Sequence, residues 1–199
     1  AKIGEVEKAK ELFEEAIRVA IGIVDDWYRS MALSNIASEL AKIGEFEEAI
    51  RVAIGIVDDD ERSAALSGIA VELAKIGEVE MARNLFAEAI RVANGIVDVT
   101  KRSLTLGFIA SKLAEAGFFD EAIRVAKEIE NYVAYSSALE DIALKLAEAG
   151  FFDEAIRVAR GIKVDEKRSA ALSGIAVELA KIGEVKKAKE LFEESIRVA

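Results

Sequence analysis

Apolar residues fall at Leu66, Ile69, Ala70, Leu73 and Ala74, the three-and-four spacing of one helix face. Gly77 follows the last of them, where a glycine stops a helix. A second run of the same period covers Val79, Ala82, Leu85, Phe86, Ala89, Ile90 and Ala93. It breaks at Gly95-Ile96-Val97-Asp98, and Asp98 is suited to cap the next helix. Call the two helices A and B. The pattern recurs along the chain, and no segment shows the strict alternation of a half-buried strand. The expected fold is all-α, with about eleven helices in antiparallel pairs. A helix B over about residues 5–21 comes first, five A–B pairs follow, and the last helix B covers 184–198.

Glycines close the units at Gly4, Gly44, Gly77, Gly117, Gly150 and Gly183, spaced 40, 33, 40, 33 and 33 residues apart. Such a period means stacked supersecondary repeats, here a single array over residues 1–199. The eighteen residues Arg62–Val79 return unchanged as Arg168–Val185. The longer spacing comes from helix B, which gains seven residues when it starts at Glu5, Glu78 or Glu184. Seven residues are almost two turns, so the apolar stripe keeps its phase. Gly22, Gly55, Gly95 and Gly161 read either as C-terminal glycines of helix B or as small residues that let helices approach. Glu128 stands at the matching position of another unit.

Composition removes most chemistry. The 199 residues contain no Cys, His, Pro or Gln. That excludes disulfides, thiolate nucleophiles, Cys- or His-ligated metals and a histidine base, so no catalytic residue, cofactor or metal is expected. Asp58-Asp59-Asp60-Glu61 lacks the spacing and glycine of a calcium loop and reads as a capping acidic turn. A net charge of −10 without a basic patch argues against nucleic acid. No apolar run approaches a membrane span and no signal peptide opens the chain, so a cytoplasmic protein is expected. Few Asn and many Glu, Lys and Arg give a thermophile-like composition, which a designed repeat would share.

Gly44-Glu45-Phe46 with Ala49, Gly117-Phe118-Phe119 with Ala122, and Gly150-Phe151-Phe152 with Ala155 resemble the turn of tetratricopeptide (TPR) repeats. Ala70 and Leu73 stand where that family's helix A carries its small and large apolar residues. The likeness covers essentially the whole chain. It departs in lacking the unit-closing Pro and in its two unit lengths. The resemblance implies a right-handed superhelix whose concave groove, lined by helix A, binds a peptide or helical segment of another protein. Its groove offsets fall on Met31, Ser34, Ser38 and Lys42; Ala64, Ser67, Val71 and Lys75; Leu104, Gly107, Ser111 and Glu115; Ser137, Glu140, Leu144 and Glu148; and Ala170, Ser173, Val177 and Lys181. Most are small or weakly apolar, which suits the apolar face of a helix. The Lys/Asn clamp for a C-terminal carboxylate is not reproduced, since Asn35 is the only Asn in a helix A.

Other recurring residues read as structural. Arg18, Arg51, Arg91, Arg124, Arg157 and Arg197 follow an acid by four residues in every unit but that of Arg91, the spacing of ordinary helix ion pairs. Arg-Ser opens four of the five helices A and suits polar contacts between repeats. Trp27-Tyr28 reads first as packing and second as recognition. Phe118 and Phe151 replace a turn Glu and are expected to be exposed interaction candidates.

Residues 1–20 and 180–199 agree at 18 of 20 positions, so the array starts and ends with nearly the same helix B. Solenoids normally carry polar caps, so the chain reads as an excerpt lacking capping helices. Val6, Phe13, Ile17, Phe192 and Ile196 would then offer apolar faces for self-association. The expected function is a non-catalytic scaffold for a protein or peptide partner, with no nucleic acid and no membrane. The alternative is a self-assembling or designed array that uses end-to-end contacts.

Overall fold

The computed structural model describes the backbone of residues 2–198 and the side chains of residues 8–198. Eleven helices follow in order: α1 (Lys2–Ile21), α2 (Asp26–Lys42), α3 (Phe46–Ile54), α4 (Asp59–Lys75), α5 (Val79–Asn94), α6 (Val99–Glu115), α7 (Phe119–Ala126), α8 (Tyr132–Glu148), α9 (Phe152–Arg160), α10 (Asp165–Lys181) and α11 (Val185–Val198). The even-numbered helices are the helices A, each 17 residues long. Helices B are long in α1, α5 and α11 and short in α3, α7 and α9. None of these helices is long and apolar enough to cross a membrane.

The chain forms two compact units, residues 1–96 and 97–199. In the first, α2 packs on α1, α3 and α4, and α4 packs on α3 and α5. In the second, α6 packs on α7 and α8, α8 on α7, α9 and α10, and α10 on α9 and α11. The core is built from the same columns in each repeat. Helix A buries Leu66, Ile69, Ala70 and Leu73 in α4 and their matches Leu172, Ile175, Ala176 and Leu179 in α10. Helix B buries an alanine in its first turn: Ala49, Ala82, Ala122, Ala155 and Ala188. Burying each large aliphatic side chain contributes about 1.5–3 kcal/mol, and the alanines let the paired helices approach closely.

Turn chemistry sets the boundaries. Gly44, Gly77, Gly117, Gly150 and Gly183 have φ of +82° to +87°, a left-handed conformation in which a Cβ is strained. At Gly117 the following amide, Phe118 N–H, donates to Leu113 O across five residues and closes helix A. Gly4 departs from the expectation and lies inside α1. The glycines that end helices B differ again. Gly55, Gly95 and Gly161 sit at φ −76°, −77° and −77°, right-handed values open to any residue. That is why α7 ends equally well on Lys127-Glu128.

The helix A starts are capped by Asp25, Asp58, Asp98 and Asn131, whose side chains accept backbone N–H groups of the first turn. Asp58 does so at Asp60 and Glu61, while its own N–H donates to Ser30 Oγ of the preceding helix A. Asn131 N–H donates likewise to Ser103 Oγ, and Ser63 Oγ and Ser169 Oγ donate to Ala89 O and Ser195 O of the following helix B. Arg29, Arg62 and Arg168 donate to the carbonyls of Ile23, Ile56 and Ile162 at the preceding turn and pair with Asp26, Asp59 and Asp165. The Arg-Ser dipeptide thus joins repeat to repeat. The helix B arginines correct the expected spacing. Arg51, Arg91 and Arg157 pair with Glu48, Glu88 and Glu154, three residues back, because those acids share their side of the helix. Arg18 and Arg197 donate to the carbonyls of Glu14 and Glu193.

Candidate functional site

In the second unit α6 and α8 lie side by side and border an open cavity of about 430 Å³. Its walls are apolar at Leu104, Phe108, Val133 and Ala138 and polar at Ser111, Ser137 and Asp141. Two substitutions within the repeat account for the space. Gly107 stands where the matched helices carry Ser67 and Ser173, and Ser111 stands where they carry Val71 and Val177. Side-chain volume is thereby removed from one side of the seam. Phe108 replaces Gly68 and Gly174 and builds one wall, with Lys112 Nζ 5.5 Å from its ring centroid. Asn131 fixes the floor by capping α8: its side chain accepts from Val133 and Ala134 N–H, both at 3.0 Å. Leu104, Phe108 and Val133 remain exposed at the rim.

Of the expected groove residues, this cavity gathers Leu104, Gly107, Ser111 and Ser137. Others go elsewhere. Ser34, Ser67 and Val71 are buried and correct the expected groove. Their offsets turn toward neighbouring repeats; Ser67 Oγ is taken up by Ser63 O. Ser38 faces α4, where a Cβ on Gly68 would lie 3.5 Å from its hydroxyl. Glu140 and Leu144 belong to the seam between α8 and α10. Glu140 pairs with Lys167 at 2.9 Å, and its hydrogen bond holds that ammonium above the ordinary lysine range. Leu144 fills the space left by Gly174. Lys42, Lys75, Glu115, Glu148 and Lys181 lie at the helix ends, each in an ion pair three residues away. Met31, Ala64 and Ser173 are half-buried; Ala170 and Val177 are exposed.

Sequence reasoning missed Phe108, Val133 and Asp141. A signal was present: position 68 of the unit reads Asn35, Gly68, Phe108, Asp141 and Gly174, one of the varied columns of helix A beside the unchanged Ile69 and Ala70 columns. Phe118 was expected to be exposed and is buried in the core, whereas Phe151 is exposed and meets Phe119 edge-on at 5.7 Å. The first aromatic of each Gly-Phe-Phe turn thus faces a different environment in each copy. Trp27 and Tyr28 are both half-exposed and contact each other at 4.9 Å. Among the described residues no cluster of acids could hold a metal ion; Asp58 caps α4 and Asp59 pairs with Arg62. Of the residues expected at apolar ends, Phe13, Ile17 and Phe192 are half-buried and Ile196 is exposed, while the side chain of Val6 lies outside the described residues.

The tetratrico peptide repeat family profile matches residues 1–78 and 63–165. The chain belongs to the tetratricopeptide repeat family. Ton1535 from Thermococcus onnurineus NA1 shares the fold, with a TM-score of 0.50 and 16% identity over 98% of this chain and 75% of that one. BtubC from P. vanneervenii aligns with all of this chain and 91% of its own at TM-score 0.47 and 17% identity. The tetratricopeptide repeat protein YrrB aligns over 85% of this chain and 86% of its own, at TM-score 0.40 and 18% identity. No curated protein sequence matches. Repeats of this family mediate contacts between proteins.

Proposed function

We propose that the chain is a non-catalytic scaffold and that the α6–α8 cavity holds one apolar side chain of a protein segment. The observation that carries this reading is the gathering of Leu104, Gly107, Ser111 and Ser137 around a cavity rimmed by exposed Phe108 and Val133. Exposed aromatic and aliphatic groups around a concavity are what an anchor residue needs, because they lose water when it docks. Asp141 stands at the same cavity and is exposed. It favours a segment with a Lys or Arg close to the anchor.

The test is selection from displayed random peptides. Wild type should enrich sequences with a large apolar residue near a basic one. Leu104→Asp with Phe108→Asp should abolish enrichment, a loss of about 2 kcal/mol or more for an anchor pocket. Asp141→Lys should turn the charge preference from basic to acidic. The same peptides recovered by all three proteins would rule this site out.

A further inference from the structure

We propose that the seam between α1 and α3 receives an amphipathic helix of a partner protein, with an apolar residue over Leu33 and a lysine or arginine on Glu14. The site is separate from the α6–α8 cavity. Ile17, Ile21, Leu33 and Val52 border an open cavity of about 480 Å³ there, with Glu14 on the α1 side and Glu48 on the α3 side. In the second unit α9 and α11 border a matching cavity of about 420 Å³. By position in the repeat, Glu14, Ile17 and Ile21 correspond to Asp153, Ile156 and Arg160, and Glu48 and Gly55 correspond to Lys187 and Glu194. The α9–α11 seam is latched by its own side chains. Lys187 meets Asp153 at 2.8 Å, and Arg160 meets Glu194 at 2.9 and 2.7 Å. Beside these pairs Ile156 is only 7% exposed.

The α1–α3 seam has neither latch. Glu48 stands in the place of the lysine, and Ile21 and Gly55 in the place of the Arg–Glu pair. Ile17 is accordingly only half-buried and Ile21 is 61% exposed. Glu48 is held by Arg51 of its own helix, and Arg18 donates to the Glu14 backbone carbonyl. Among the described residues the exposed Glu14 carboxylate enters no ion pair. The latched seam therefore names the missing group: the cation that Lys187 brings to Asp153. A long basic side chain can lay its stem along Ile17 and set its charge on Glu14. A helix suits the rest of the space. α2 packs on both α1 and α3 and closes their seam from one side, with Leu33 as the floor. A helix on the open side meets the same two ridges. No helix A of the array belongs there, since the α9–α11 cavity is lined by α9 and α11 alone although α8 and α10 pack beside them.

The probe is a side-chain-cross-linked helix of about four turns that carries Leu and, one turn away, Lys; short free peptides must first form the helix and are poorer ligands. Titrated into the whole chain, it should shift the methyl resonances of Ile17, Ile21 and Leu33 and leave those of Leu104 and Val133 in place. Glu14→Lys should weaken binding about tenfold and turn the preference to a helix with Glu in place of Lys. Ile21→Arg, Glu48→Lys and Gly55→Glu together write both latches of the α9–α11 seam into the α1–α3 seam. That variant should keep its helicity and lose the shifts. Leu104→Asp with Phe108→Asp, which disables the α6–α8 cavity, should bind the helix as wild type does, so the two sites succeed or fail separately. Ile17 and Ile21 methyls that never move, undiminished binding by the latched variant, or equal binding of the Lys and Glu helices by wild type overturns the proposal.

Discussion

Arg62–Val79 and Arg168–Val185 are the same eighteen residues in two settings. Both make a 17-residue helix A, both close on a left-handed glycine, and both use their arginine to hold the preceding turn. Their surfaces differ. Val71 is 2% exposed and Val177 44%; Ser67 is buried and Ser173 is not. Local structure is a property of the block, and exposure is a property of its neighbours. A copied helix A is therefore not in itself a binding surface. The cavity lies on α6, where the copy has been altered to Gly107-Phe108.

Putting a charge into both copies gives the largest contrast. Val71→Asp buries an unpaired carboxylate and should cost about 4 kcal/mol, whereas Val177→Asp should stay within about 0.5 kcal/mol. Denaturant midpoints of the two variants check this. Equal losses would mean that the environments of α4 and α10 are not as different as their exposures.

A smaller contrast sits one helical turn away. Gly68→Ala adds a methyl 3.5 Å from Ser38 Oγ, an ordinary contact, and should stabilise by about 0.5–1 kcal/mol through helix propensity. At Gly174 the same methyl would overlap Leu144 Cδ2, so Leu144 must move. Gly174→Ala should cost about 1 kcal/mol, and a double-mutant cycle with Leu144→Ala should show coupling of similar size. Additive behaviour would mean that Leu144 swings away freely.

The starts of the two blocks offer the next test. Asp58 caps α4 through two backbone N–H groups, and its match Val164 caps nothing although its backbone is already extended, at φ −84° and ψ 115°. Val164→Asp should stabilise by about 1 kcal/mol, read as a rise in midpoint. No gain would mean that the first turn of α10 is satisfied in another way.

These contrasts mark how far the sequence could be read. Helices, turns and cap residues were legible because they depend on neighbours within a few positions: Gly117 needs only Leu113 to close its turn, and Asp98 needs only Lys101. The lining of the α6–α8 cavity was legible in part. Leu104, Gly107 and Ser111 share one helix face, which a period shows. Val133 and Asp141 come from α8, and their meeting with Phe108 depends on how two helices pack. Helical offsets say which residues share a side of one helix. They do not say whether another helix covers that side, and for that reason the family's groove offsets do not show that Ser67 and Val71 are buried; a turn position that is Glu in other copies likewise does not show that Phe118 packs into the core.

The weakest contrast concerns the helices B that follow the two blocks. Glu194 of α11 reaches across to Arg160 of α9 at 2.9 and 2.7 Å, and Lys187 reaches Asp153 at 2.8 Å. In α5 the matched Glu88 pairs with Arg91 of its own helix, and Ile54 stands where α9 has Arg160. The hydrogen bond from Arg160 holds the Glu194 carboxyl below the usual carboxylate range, and that from Lys187 does the same for Asp153. A carboxylate with a lowered pKa contributes its stabilisation at neutral pH and loses it as pH falls through the lowered value. Protection of α11 amides from hydrogen exchange should therefore drop on the acid side of the ordinary carboxylate range. High salt should weaken it in the same way, since these pairs are solvent-exposed. Protonating Glu88 removes a link within α5 alone, so α5 should lose less. Arg160→Ile copies the first block at one of the two pairs and should narrow the difference; adding Lys187→Met, which copies Met81, should erase it. If α11 protection in wild type is indifferent to both acid and salt, the two inter-helix pairs hold nothing, and α11 rests on its buried Ala188, Leu191 and Ser195 and the bond from Ser169 Oγ.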